Sequence, residues 1–186
     1  MRRLAAAMGV AALLVTSGSA AKPARQAHNA EVSLCTGGEQ IVYSCQFGTR
    51  LGSVCLGRTS IHYRFSKPGR FGKPGRLGLN LASTRDWSNV HVGANRSQGG
   101  LNQDSIRFTR AATHYVVHAG ETGSLNESPG RRMSGIVVLE GGREVANLAC
   151  KARNPFRAEA LSAIGRAAPK GWDGAEPPGG PFDMIY

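Results

Sequence analysis

From Gln40 to Phe47 apolar and polar side chains alternate. Ile41, Tyr43 and Phe47 fall on one side, Ser44 and Gln46 on the other, and Cys45 shares the parity of the apolar set. A period of two marks a strand with one buried face. Gly48-Thr49-Arg50-Leu51-Gly52 supplies the glycines of a hairpin loop, and Ser53–Leu56 returns. A loop centred near Arg50 sets Cys45 opposite Cys55. Directly opposed residues approach to about 4.5 Å at Cα, the short end of the disulfide range. A third strand follows at Ser60–Phe65, with Ile61, Tyr63 and Phe65 inward and His62 and Arg64 outward.

The same pattern recurs along the chain. Glu31–Thr36 reads as a short strand turned by Gly37-Gly38. Leu77, Leu79 and Leu81 alternate with glycine and asparagine, Asp86 and Trp87 sit in a turn, and Val90 and Val92 begin a strand ending at Asn95. Ser105–Arg110 carries Ile106 and Phe108 inward, and Thr113–Ala119 is β-branched and aromatic. Gly120–Arg132 is a polar loop, and Ser134–Glu140 turns at Gly141-Gly142 into Arg143–Cys150. Asn154-Pro155 forms an N-cap and N1 pair for a short helix over Phe156–Ala167, which Pro169 ends. The remainder, KGWDGAEPPGGPFDMIY, is too rich in glycine and proline for regular structure. It reads as an irregular, disordered tail, the competing reading being that Trp172, Phe182 and Tyr186 dock on a groove. Short strands at regular spacing with one helix outside them predict an all-β fold. The expected architecture is an antiparallel sandwich or small barrel of about nine strands, with a short C-terminal helix and irregular tail.

The N-terminus changes where such a domain would work. Arg2 and Arg3 precede an alanine-rich apolar run, Leu4–Val15, and the small residues Thr16–Ala21. This is the pattern of a secretory signal cleaved after Ala20 or Ala21. The apolar run is shorter than the ~20 residues needed to span a bilayer, and no cysteine stands at its end for a lipid anchor. The expected organisation is a signal peptide at 1–21, a leader at 22–30, a β domain at 31–153 and the helix and tail at 154–186. No later segment reads as transmembrane. Periplasmic or secreted localisation follows.

Export makes the four cysteines, Cys35, Cys45, Cys55 and Cys150, a disulfide framework. Of the three connectivities, Cys45–Cys55 with Cys35–Cys150 is preferred, the first for its locality and the second for tying the terminal strands together. The close C-x2-4-C pair of a zinc knuckle does not occur, so no metal site is expected.

Charge singles out one stretch. The formal net charge is +11, and Gln40–Arg85 contains no Asp or Glu. Arg50, Arg58, Arg64, Lys67, Arg70, Lys73, Arg76 and Arg85 all lie within it. Such bias favours an acidic partner or anionic surface, although arginine-rich composition also follows from genomic base composition. Lys67–Gly78 is a tandem hexad, KPGRFG then KPGRLG, whose Pro-Gly turns would display Lys67, Arg70, Lys73 and Arg76 on a loop. The competing reading is a slipped duplication that only lengthens a hairpin.

Catalytic signals are sparse. His114 and His118 share a strand face but stand about 13 Å apart by the strand rise, too far for one metal ion. His62 and His91 occupy polar faces. No G-x-S-x-G elbow, paired-carboxylate pattern or phosphate loop occurs, and no cofactor is expected.

The segments SVCLG, IHYRFSKPGR, THYVVHAG, GIVVLEGG and REVANLACK together resemble a group of small exported bacterial β-proteins of uncharacterised activity. That group's pattern is Cys…Tyr-Arg-Phe…Tyr-Val-Val…Gly-Val-Val-Val…Cys. The resemblance spans Cys45 to Lys151. This chain departs from it at Ser66, where the group has glycine, and in its second KPGR copy. It implies an exported β fold and carries over no functional residue.

The expected function is therefore a non-enzymatic, exported binding or inhibitor-like domain. Its basic surface of Arg50, Arg58, Arg64, Lys67, Arg70, Lys73 and Arg76 would engage an acidic envelope component or a protein partner, with nucleic acid excluded by export. The alternatives are a periplasmic hydrolase using His114 or His118 and a structural envelope protein.

Overall fold

A computed structural model describes residues 32–67, 77–152 and 155–174. Among these, nine strands form two antiparallel sheets. The first sheet holds β1 (Gln40–Phe47), β2 (Arg50–Leu56), β3 (Ile61–Ser66) and β4 (Leu77–Ala82) in sequence order. The second holds β5 (Val90–Arg96), β6 (Leu101–Arg110), β7 (Thr113–Thr122), β8 (Arg132–Glu140) and β9 (Arg143–Ala149), again in order. One helix, α1 (Ala158–Ala167), follows. The sheets do not close into a barrel. No described helix is long and apolar enough to cross a membrane.

The alternation read from the sequence builds the core. Tyr43, Val54, Tyr63 and Leu81 lie opposite one another across β1–β4 and are all buried. Ile106, Val117 and Ile136 form the matching row across β6–β8. Tyr63 links the two layers, its ring centroid 5.8 Å from both Phe108 and Tyr115. The Gly141-Gly142 turn joins β8 to β9 as expected.

The first hairpin departs from the expected register, and the disulfides change with it. Pairing continues to Phe47↔Arg50, so the turn is only Gly48-Thr49, with Gly48 at φ 59°. A positive φ at the first position of a two-residue hairpin turn is one that glycine adopts without penalty. Cys45 therefore faces Gly52, while a bulge between Ile41 and Tyr43 places Cys55 against Ile41. Cys45 and Cys55 project from opposite faces of the sheet and cannot meet. The bridges are Cys35–Cys55 and Cys45–Cys150, correcting the expected Cys45–Cys55 and Cys35–Cys150.

The described part of the expected strand Glu31–Thr36 is not a strand. It belongs to an irregular segment, 32–39, that lies across the outer face of the first sheet. Leu34 N–H donates to Ser53 Oγ at 3.0 Å, Ser44 Oγ donates to the Val32 carbonyl at 2.8 Å, and Cys35 is bonded to Cys55. The first sheet is thus covered on both faces.

The chain end closes the remaining sides. Pro155–Arg157 runs beside β1 instead of opening the helix: Ser44 N–H donates to the Pro155 carbonyl and Arg157 N–H to the Val42 carbonyl. The helix begins at Ala158, with extended Arg157 as N-cap, because Phe156 is held in an antiparallel bridge to Tyr43. Its buried residues are Ala160 and Ile164. Beyond it, Trp172 docks, its ring centroid 5.4 Å from that of Trp87 and its indole N–H donating to the Trp87 carbonyl. Val92 N–H on the edge of β5 donates to the Gly174 carbonyl at 2.7 Å. The irregular tail is thus ordered through Gly174, while Phe182 and Tyr186 lie outside the described residues.

Candidate functional site

The cations of the acid-free stretch separate into three settings. Arg50 and Lys67 are exposed at one end of the first sheet, where Leu51↔Ser66 brings the start of β2 beside the end of β3. The Arg50 guanidinium sits 5.7 Å above the Phe65 ring, a contact that fixes its direction while leaving its charge available. Arg58 lies beyond the other end of β2, exposed beside Arg166 of α1 in a shallow recess. Arg70, Lys73 and Arg76 lie outside the described residues.

Arg64 is not on the surface. Its side chain is 7 % exposed, and its guanidinium donates to both Glu39 carboxylate oxygens, at 2.5 and 2.8 Å, and to the Leu34 carbonyl at 3.1 Å. The arginine projects from the outer face as expected, but the 32–39 segment crosses that face and brings its carboxylate with it. The Arg64 hydrogen bonds hold the Glu39 carboxyl down at about 2. Arg64 is a structural clamp and leaves the expected basic surface. Among the described residues, Arg50, Arg58, Lys67 and Arg85 remain exposed with no carboxylate partner.

The histidines do not converge. His114 and His118 lie on one face of β7, paired with Leu139 and Gly135. His114 Nδ1 contacts Thr109 Oγ1 at 3.0 Å, whereas His118 is buried and desolvation lowers its pKa to about 4. A Ser60–His62 pair, not anticipated from the sequence, brings Oγ within 3.0 Å of Nε2. Burial first, then the nearby Arg64, lowers the His62 pKa. The His62 ring is also met by the Asn80 side chain, and among the described residues no carboxylate hydrogen-bonds it. Cys35, Glu39 and Cys55 place three ligand-type atoms within 4.8 Å of one another. Both sulfurs are spent in a disulfide and the carboxylate is held by Arg64, so this donor set does not suit a metal.

One concave feature stands apart from the cationic end. A cleft of about 730 Å³ opens between α1 and one half of the second sheet, and its lining includes Ala119, Met133, Ser134, Lys151, Phe156 and Leu161. Asp104, Ala119 and Ser134 form one row of its floor across β6–β8. Two ion pairs cross its rim, Arg96–Asp104 and Arg132–Glu121. Beneath it lies fully buried Tyr43, packed edge-on against Phe156 at 5.0 Å. Burial raises the pKa of its hydroxyl, opposed in smaller measure by the neighbouring Ser134 side chain. Nothing in the sequence signals this cleft, because its wall comes from a segment that reads as a helix start.

Compared with family models, curated proteins and solved structures, the chain matches none.

Proposed function

We propose that this chain is an exported, non-enzymatic binding domain that engages an acidic envelope component or an acidic protein face through the end of the sandwich bearing Arg50 and Lys67. The observation that carries the reading is the pairing of charge and position there. Both cations are exposed, adjacent in register and without a carboxylate partner among the described residues. The KPGR repeat follows directly in sequence and adds Arg70, Lys73 and Arg76 with no acid between them. Unneutralised like charges near one another favour an anionic partner and speed its encounter. Two disulfides suit an oxidising compartment, in keeping with the signal-like N-terminus and periplasmic or secreted localisation.

The test replaces Lys67, Arg70, Lys73 and Arg76 together with serine and measures recovery of partners from envelope extracts, alongside titration of salt against binding. A saturable partner lost in the serine variant supports the reading. Unchanged recovery overturns it. Binding that disappears at moderate salt without saturation assigns instead a structural role in contact with acidic polymer.

A further inference from the structure

We infer that the recess between the end of β2 and the last turns of α1 is a binding site for a phosphate monoester dianion. It encloses about 370 Å³, and Arg58 and Arg166 both line it. These two arginines are distant in the chain and meet because α1 packs on β1 and β2. The helix buries Ala160 and Ile164. Ala163 and Ala167 flank that stripe one helical turn apart and are too small to fill the space beside Leu56. Gly38 and Gly57 add no side chain to the lining. Small residues thus leave a hollow lined by two long cationic side chains.

Nothing in the lining neutralises the pair. Gln40 is its one other polar side chain, and it holds no Asp or Glu. Glu39, next to Gln40 in the chain, has both carboxylate oxygens engaged by Arg64. Among the described residues neither Arg58 nor Arg166 has a carboxylate partner. Arg166 gives one N–H to the Ser162 carbonyl at 3.2 Å and keeps its other donors. Arg58 stands in a turn closed by Gly57 N–H on the Ser60 carbonyl at 2.8 Å. The carbonyl end of α1 carries about half a negative charge, which two full guanidinium charges outweigh. Two planar guanidinium groups suit an oxyanion with three terminal oxygens and two charges. A carboxylate brings one charge and two oxygens, enough for one arginine. The recess is roomier than a bare phosphate and close to the lower end of small-ligand sites, which leaves space for a short organic arm against Leu56, Ala163 and Ala167. Arg50 and Lys67 lie at the other end of the first sheet, so the site is independent of the function proposed above.

The test is calorimetric titration of the disulfide-intact chain with phenyl phosphate, benzoate and sulfate at pH 8 and pH 5, at one fixed ionic strength. A phosphate monoester loses its second charge near about pH 6, whereas arginine keeps its proton throughout. Phenyl phosphate should saturate a single site at pH 8, bind about tenfold tighter than benzoate, and lose most of that advantage at pH 5. Sulfate, a dianion at both values, should keep its affinity. Arg58→Gln and Arg166→Gln should each weaken phenyl phosphate about tenfold. Ala163→Glu, which sets a carboxylate in the recess with both arginines kept, should remove binding. Arg143→Gln, outside the recess, and the serine replacement of Lys67, Arg70, Lys73 and Arg76 should change nothing, so either reading can fail without the other. Amide shift mapping on the unaltered chain, with changes expected at Gly38, Gly57 and Ala167, locates the site without any variant. Sedimentation with phosphatidic acid vesicles but not phosphatidylcholine vesicles, lost in Arg58→Gln, assigns the phosphate to a lipid headgroup; binding of phenyl phosphate alone assigns a free ester. Benzoate as tight as phenyl phosphate, equal phenyl phosphate affinity at the two pH values, shifts confined to other residues, or no binding of phenyl phosphate at millimolar concentration or of vesicles would each overturn the assignment.

Discussion

Replacing Glu39 by glutamine keeps the shape of the side chain but removes the charge facing Arg64. The buried guanidinium then loses its counter-charge while its bond to the Leu34 carbonyl remains. Breaking a buried ion pair from one side costs about 3–5 kcal/mol, because the partner charge stays out of water. The acid side gives an independent figure. Glu39 titrates at about 2 in the fold against 4.5 for the free side chain, and at 1.36 kcal/mol per pH unit this corresponds to roughly 3 kcal/mol. The carboxylate is 11 % exposed, so water screens it only in part. The expected loss for Glu39→Gln at pH 7 is therefore about 3 kcal/mol, a large share of a domain's net stability.

The direction with pH is fixed by the depressed pKa. Between about 2 and 4.5 the unfolded chain binds the Glu39 proton and the folded chain does not, so stability falls as pH drops through that window. Above 4.5 the contribution is complete, and below about 2 it is gone. Urea unfolding of the disulfide-intact protein at pH 7, 4 and 2.5 measures it. The gap between wild type and Glu39→Gln should narrow steadily on acidification. Adding Arg64→Met to Glu39→Gln should recover part of the loss at pH 7, since an apolar side chain leaves no buried charge. A variant within about 0.5 kcal/mol of wild type at pH 7, the range of ordinary surface substitutions, or two acid curves running in parallel, would refute the clamp.

The two disulfides should differ in weight. Cys45–Cys150 closes a span of 105 positions and Cys35–Cys55 one of 20. Loop-closure entropy gives about 4.7 kcal/mol for the longer and about 3 for the shorter. Urea midpoints of the Cys45→Ala/Cys150→Ala and Cys35→Ala/Cys55→Ala pairs should rank in that order, and the reverse ranking would show that native packing outweighs chain entropy here. Gly174→Ala should undock the chain end, since a Cβ there would lie 1.7 Å from the Trp172 ring. With Trp87 and Trp172 the chain's two tryptophans, the expected readout is a red-shifted emission and a stability loss of about 1–3 kcal/mol, the usual cost of overpacking; unchanged emission would mean that the ring contact is not maintained.

The parts legible in the sequence were those set by local pattern. Ile61, Tyr63 and Phe65 announce a strand and the face it turns to the core, and Gly141-Gly142 announces its turn; both follow from a few adjacent residues. The cysteine pairing was not legible, because it depends on one residue of bulge between Ile41 and Tyr43 and on a turn shorter than its glycines suggested. Each shift moves a cysteine to another partner or another face. Arg64 looked like a surface cation for a similar reason: its parity was right, but the carboxylate that meets it is 25 positions away on a segment without a strand pattern. Asn154-Pro155 is a good start signal and predicts a helix that includes Phe156. The unpaired edge of β1 competes for the same backbone, and its hydrogen bonds with Pro155 and Arg157 prevail.

The Cys45–Cys150 bridge and the placement of Phe156 share one physical origin. Two sheets that each run in sequence order leave β1 and β9 as outer strands with no hydrogen bonds between them. An open sandwich must cover such edges or risk pairing with other chains. Here the Cys45–Cys150 bridge joins β1 to the residue after β9, and Pro155–Arg157 fills the free side of β1. Gly174 and Trp172 then do the same for β5 and Trp87. All of these devices draw on residues after Ala149, so the stretch that looks least like part of the fold is the one that closes it. The same detour creates the cleft, because Phe156 and Leu161 stand over the second sheet only while Pro155–Arg157 remains attached to β1.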